Sequence, residues 1–195
     1  MSVPKLRSKS RADSVESGMT SWIFTAEPVD SPDAYSLRRD YYAEVASRYW
    51  KRPATSDEID QGLAGDGAEL LTAPTGHFIV GRYEGEPAAC GGLLILDDKR
   101  AELTRVYVRP GRRGTGGAGL LLTALEHQAR VLGASEMVLN TRFDLIEARS
   151  LYRRHGYVEI PAYCVSAPYA DVWCGKDLTT EAPADPPAAA RSAST

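Results

Sequence analysis

The residues with the densest chemical content lie between Val106 and Leu122, in VYVRPGRRGTGGAGLLL. A β-branched run stops at Pro110, and Gly111 to Gly116 then hold three glycines, two arginines and a threonine before an apolar helical stretch. Glycine lets a backbone approach a ligand and take turn angles that other residues resist. A helix beginning there offers unpaired N–H groups and partial positive charge, so the junction suits a phosphate. Arg112 and Arg113 add guanidinium groups that can donate to carboxylate or phosphate oxygens in two-pronged fashion. Two other phosphate loops do not fit. The GxxxxGK[ST] spacing with its lysine is absent. Gly114 to Gly119 spells G-x-G-x-x-G with Glu136 downstream, but Glu136 opens the next strand, whereas a ribose-binding acid closes it. The strands before the loop also read as hairpins, not as the start of a βαβ unit.

A third loop fits residue by residue. Arg113-x-x-Gly116-x-Ala118, after a strand ending Val108-Arg109-Pro110, resembles the Q/R-x-x-G-x-G/A acyl-coenzyme A signature of the GNAT family of N-acetyltransferases. Downstream, Ala148-x-x-Leu151-Tyr152-x-x-x-Gly156-Tyr157 resembles the second conserved block of that family. The resemblance covers roughly Trp22 to Leu178. It implies acetyl-CoA as co-substrate, no metal, and a primary amine on a small-molecule or amino-acid-like acceptor that attacks the thioester directly.

The same resemblance implies roles for single residues. In the family, the strand before the loop bulges and splays from the next parallel strand, and the thioester arm of the co-substrate lies in that gap. Here the main-chain groups of Val106 and Val108 take that place, and the amides of Arg113, Gly114, Thr115, Gly116, Gly117 and Ala118 wrap the pyrophosphate. Tyr152 aligns with the tyrosine that protonates the departing thiolate. A phenol of pKa about 10 and an alkyl thiol of about 8.5 are close enough to share a proton. An acceptor amine, with a pKa near about 10, needs a base to become a nucleophile. Glu102 holds the position where several members carry that base. The run AELTRVYV is similar to an E-x-K-R-x-Y-V branch in which Thr104 replaces the lysine. Leu145 stands where the family often has an asparagine that contacts the co-substrate. Arg105 and Tyr107 should alternate onto the face opposite Glu102 until a bulge interrupts the register. An arginine reaching the acceptor would favour a carboxylate or phosphate on it. The competing function is an acyl-CoA-sensing module that binds a protein partner and catalyses little.

The elements that must carry these residues follow from pattern and punctuation. Ser31-Pro32 gives an N-cap with proline at the first helical position, and Leu37, Tyr41, Val45 and Tyr49 form one face of a helix to about Trp50. Thr55-x-x-Glu58 is a capping box for a shorter helix. Strands are expected at Trp22 to Ala26, His77 to Tyr83, Ala88 to Leu96 and Ala101 to Arg109. After the glycine loop, Ala118, Leu122, Leu125, Ala129 and Leu132 line one helix face. A strand at Glu136 to Thr141, a helix at Ile146 to His155 and strands at Tyr157 to Val165 and Ala170 to Lys176 complete the chain. The order β-α-α-β-β-β-α-β-α-β-β predicts a mixed α/β sheet with one parallel crossover, which is also the order the resemblance implies. Residues 1–19 and 179–195 lack periodic apolar positions and are expected to be disordered tails around one domain at 20–178.

Composition bounds the rest. A net charge of −3 argues against nucleic acid as partner. Neither a membrane span nor a secretory h-region is visible. Cys90, Cys164 and Cys174 have no CxxC spacing, so buried thiols in a cytoplasmic protein are the reading, without disulfides or zinc. His127 reads as solvated, His155 as a helix-dipole residue and His77 as structural. Tyr35, Tyr41, Tyr42 and Tyr49 read as core or rim, with Tyr42 or Trp50 able to line an acceptor site. Trp173 reads as core or as the surface of a homodimer.

Overall fold

The computed structural model describes residues 21–164 and 169–179, and the two expected tails fall outside the described residues, Thr179 excepted. The elements are β1 (Trp22–Ala26), α1 (Pro32–Trp50), α2 (Ser56–Ala64), β2 (Gly76–Tyr83), β3 (Glu86–Ile95), β4 (Arg100–Val108), α3 (Gly117–Val131), β5 (Glu136–Thr141), α4 (Ile146–Arg154), β6 (Val158–Glu159) and β7 (Val172–Asp177). Their order is the one the sequence predicts. The strands form one sheet, β1-β2-β3-β4-β5-β7-β6, in which only β4 and β5 run parallel.

Strand alternation divides the core into two layers. On β2, Phe78 and Val80 face α1 with Leu37 and Ala34, whereas Ile79 faces the other side with Leu121, Leu122 and Leu125 of α3. Helices α1 and α2 start where their capping chemistry lies. The Ser31 hydroxyl accepts from Ala34 N–H at 3.2 Å ahead of Pro32. Thr55 and Glu58 exchange both bonds of the capping box, Glu58 N–H to Thr55 Oγ1 at 3.3 Å and Thr55 N–H to Glu58 Oε2 at 2.8 Å.

Four expectations need correction. The α3 stripe includes Leu121, which is fully buried, and excludes Leu132, which caps the helix and is 40% exposed. On α1, Leu37 is buried but Tyr49 is 50% exposed, because that end of the helix leaves the sheet and meets Tyr169 edge-on at 5.2 Å. The strand expected from Tyr157 to Val165 is only β6, two residues long. Ile160 N–H still donates to Trp173 O at 2.9 Å, but Pro161 has no N–H to continue the ladder; Val165 lies outside the described residues. The last strand runs Val172–Asp177, offset toward the C-terminus from the expected span.

Candidate active site

The site begins where the two parallel strands part. β4 pairs with β5 only at Arg100–Glu136, Ala101–Met137 and Glu102–Val138, although β4 continues to Val108 and β5 to Thr141. Glu102 is therefore the last paired residue at the fork. On its other edge β4 bulges against β3: Gly92 faces Thr104 but Cys90 faces Tyr107, so one β3 residue opposes two of β4. Arg105 absorbs the extra residue at φ +52°, a conformation that non-glycine residues adopt at a cost.

The bulge moves side chains between faces. Before it, Ala101 and Leu103 pack toward α3; after it, Val106 and Val108 do so. Tyr107 joins the α1 layer and Arg105 reaches Asp66 beyond α2. Arg105 and Tyr107 thus share a face with Glu102 and Thr104, contrary to strict alternation, because one inserted residue flips every later side chain. Arg109 N–H donates to Ala88 O at 2.8 Å. By alternation the main-chain groups of Val108 turn away from β3, toward the opening.

The glycine loop closes one end of the opening. Gly114 and Gly116 have φ of +80° and +86°, which a side chain would strain, and a Cβ on either would meet nothing within 4 Å. Gly117 is glycine for another reason: a Cβ there would lie 2.3 Å from the Trp22 ring. Trp22 Nε1 donates to Thr115 Oγ1 at 2.9 Å, and that hydroxyl donates to Arg112 O at 2.7 Å. Gly116 supplies no side-chain cap to α3, and Leu120 N–H, bonded to Gly116 O at 3.2 Å, is the first amide of the helix to find an acceptor. The preceding amides are open to a ligand. The loop's arginine side chains are held by neighbouring segments at the edge of the cleft. Arg113 donates to Val108 O at 2.9 Å and to Glu44 of α1 at 2.5 Å, while Arg112 lies 4.8 Å over the Tyr83 ring.

An open cleft of about 1330 Å³ runs from this loop past the fork and under α1 and α2. Val106, Val108, Arg113, Gly114, Gly116, Gly117 and Ala118 line it with Glu102 and Tyr152; Thr115 sits behind the loop as its brace. Tyr152 is 8% exposed and packs edge-on against Tyr157 at 5.8 Å. Its hydroxyl has no hydrogen-bond partner among the described residues, and burial raises its pKa above that of an ordinary phenol, so it stays protonated at neutral pH. Leu145 lines the same wall.

Glu102 is half-buried and accepts from the Tyr163 hydroxyl at 3.1 Å, which Asn140 of β5 approaches at 3.5 Å. Desolvation raises the Glu102 pKa above the usual carboxylate value, with the Tyr163 bond opposing it. A raised folded-state pKa favours the protonated form, so its stabilisation is full below the unfolded value near about 4.3 and lost as pH rises through the folded value. Glu102→Gln, which keeps an acceptor for Tyr163, is therefore expected to raise Tm at pH 7 to 8. The gain should vanish below about pH 4. Thermal melts of the two proteins across that range decide it, and a variant less stable at pH 8 than at pH 4 relative to the parent contradicts the burial argument.

Several residues of the site carry no mark in the sequence. Tyr163 sits in irregular chain after β6, and Asp66 lies in the turn after α2. His155 caps the C-terminus of α4, the helix-end place expected of it, and it also lines the cleft with its ring against Gly119 of α3. His127 is half-buried, and His77 is half-buried on β2 with its pKa lowered by desolvation. Tyr42, Tyr49 and Trp50 of α1 also line the cleft. Among the described residues no cluster of His, Cys, Asp or Glu could hold a metal ion, and no helix is long and apolar enough to cross a membrane. Cys90 and Cys174 are buried free thiols and Cys164 a half-buried one.

Comparison with known proteins agrees with this geometry. The family model described as the acetyltransferase (GNAT) family matches residues 32–157. The uncharacterised N-acetyltransferase YjcF of Bacillus subtilis is 33% identical over 125 residues, 64% of this chain and 76% of that protein. An IAA acetyltransferase of Azospirillum brasilense is 30% identical over 92 residues, 47% of this chain; the chain spans about three fifths of that relative, 60% of its length. Among solved structures, a GNAT family acetyltransferase from Elizabethkingia anophelis with acetyl-CoA bound superposes with a TM-score of 0.56 at 16% identity, covering 82% of this chain and 99% of that one. With strand fork, bulge and glycine loop in one cleft, and a family match over most of the folded region, the chain belongs to the GNAT family of acetyltransferases.

Proposed function

We propose that this protein is an acetyl-CoA-dependent N-acetyltransferase acting on a primary amine of a small-molecule or amino-acid-like acceptor. The observation that carries the reading is the fork between β4 and β5. It leaves the edge of β4 unpaired between open helix-N-terminal amides at one end and a half-buried carboxylate at the other. The donor set fits the proposed co-substrate. Unpaired amides at Gly117 and Ala118, and side-chain-free space at Gly114 and Gly116, suit a pyrophosphate, and Val108, whose carbonyl already accepts from Arg113, offers its main-chain N–H to an extended amide-bearing arm. Acetyl-CoA supplies an activated acyl thioester. Glu102 removes a proton from the acceptor ammonium, directly or through one water, and its raised pKa makes it the stronger base. Tyr152, held protonated by burial, donates to the sulfur as charge develops there. The helix-end amides hold the substrate in register so that attack is effectively intramolecular.

A panel of primary amines, read by coenzyme A release, tests the reading. Turnover should rise with pH through an ionisation above the ordinary carboxylate range, assigned to Glu102, and Glu102→Gln should remove that limb. A protein whose Tm rises with acetyl-CoA but which releases no thiol with any amine is the sensing module, not the enzyme.

A further inference from the structure

We propose that the acceptor carries a carboxylate beside its amine, and that the buried Arg38–Asp66–Arg105 group on the α1/α2 side of the cleft recognises it. The inference rests on the acetyltransferase reading and narrows its acceptor. Arg38 and Arg105 are 6% and 9% exposed, and the Asp66 side chain 2%. Arg38 Nη2 lies 2.7 Å from Asp66 Oδ2 and Arg105 Nε 3.3 Å from the same oxygen, while Asp66 Oδ1 accepts from Ala68 N–H at 2.9 Å. Arg105 also donates to Asp66 O, and Arg38 to Val29 O at 3.2 Å. Two guanidinium groups thus share one carboxylate, and the group holds one positive charge in excess.

The carboxylates of the covering helices do not balance it. Asp40 is paired with Arg109, Glu44 with Arg113 and Glu58 with Arg52. Among the described residues the Arg38 Nε has no hydrogen-bond acceptor, and the Arg105 Nε meets only Asp66 Oδ2, at 3.3 Å. An uncompensated buried charge is costly, so an entering anion is stabilised there. Arg105 and Asp66 line the cleft, on the β4 face that also carries Glu102. Glu102 is the converse: it accepts from the Tyr163 hydroxyl and has no ion pair with any described residue. Glu102 and the arginine-rich group, close enough for Arg105 to act on the Glu102 carboxylate, thus present opposite charges on one face of the cleft, the complement of a zwitterion. A single excess charge matches a carboxylate better than a phosphate, which carries nearly two negative charges.

Initial rates of coenzyme A release with acetyl-CoA are compared for pairs differing in the carboxylate: tyrosine and tyramine, tryptophan and tryptamine, lysine and cadaverine, serine and ethanolamine, with phosphoethanolamine as a separate arm. In at least one pair the carboxylate member should show kcat/KM higher by about tenfold or more. Arg105→Gln should raise KM for that member and bring the ratio within the pair to about one. A purely structural role would depress both members alike and leave the ratio unchanged. Pairs in which the carboxylate-free amine is equal or better overturn the proposal while leaving the acetyltransferase reading in place, and so does phosphoethanolamine exceeding every amino acid. Absence of release with any amine removes both. The comparison on the unsubstituted protein decides even if Arg105→Gln fails to fold.

Discussion

Replacing Tyr152 by phenylalanine is expected to lower kcat about 100-fold while leaving the acetyl-CoA-induced rise in Tm intact. The ring packs against Tyr157 and sits in the core, and phenylalanine preserves that packing. The hydroxyl makes no hydrogen bond to any described residue, so its loss leaves no protein group unsatisfied. The phenol lies on the wall of the cleft that holds the open helix end, where the proposed mechanism has it donate to the sulfur. The measurements are steady-state release of coenzyme A with a turned-over amine and a thermal shift with acetyl-CoA. Unchanged kcat removes Tyr152 from the chemistry. Loss of the thermal shift together with the rate gives it a binding role instead.

The second large effect is expected at Gly117. An alanine Cβ would lie 2.3 Å from Trp22 Cζ2 and 2.4 Å from Cε2, inside any permitted contact. Trp22 cannot yield freely. It is 6% exposed, stacked on Phe24 at 5.6 Å, edge-on to Tyr83 at 5.3 Å, and bonded through Nε1 to Thr115. Overpacking of this kind costs about 1–3 kcal/mol, and movement of the indole withdraws the brace from the loop. Gly117→Ala should lower Tm and weaken acetyl-CoA binding by about tenfold or more, one lost charge-assisted contact being worth that much. Gly111→Ala is the control, since a Cβ there meets nothing within 4 Å. Equal melting and affinity for Gly117→Ala and the parent would show that the loop does not depend on Trp22.

These expectations separate what each level of description contributes. The element order was legible because hydrophobic period, capping residues and glycine punctuation are local. Ser31-Pro32, the Thr55–Glu58 box and the Gly114–Gly119 run act on neighbouring backbone and need no distant partner. The same holds for the open amides before α3, which follow from a helix starting on glycine. The errors of extent, at Leu132, Tyr49 and β6, arose where the end of an element depends on what it packs against.

Local pattern along the chain was enough to set the β-α order, the place of the glycine loop and the residue types able to bind an anion and move protons. Which face Arg105 and Tyr107 take was settled by the folded sheet, because a single inserted residue in β4 reverses the alternation and its position follows from pairing with β3. Tertiary packing also decided that the Arg113 side chain braces Val108 and Glu44, that Trp22 supports the loop from 93 residues away through Thr115, and that Tyr163 reaches Glu102. Apart from Arg113 to Val108, these contacts join segments far apart in the chain. Chain spacing sets the conformation of a loop or helix end, but the partner of a buried charge is chosen by packing across the whole sheet.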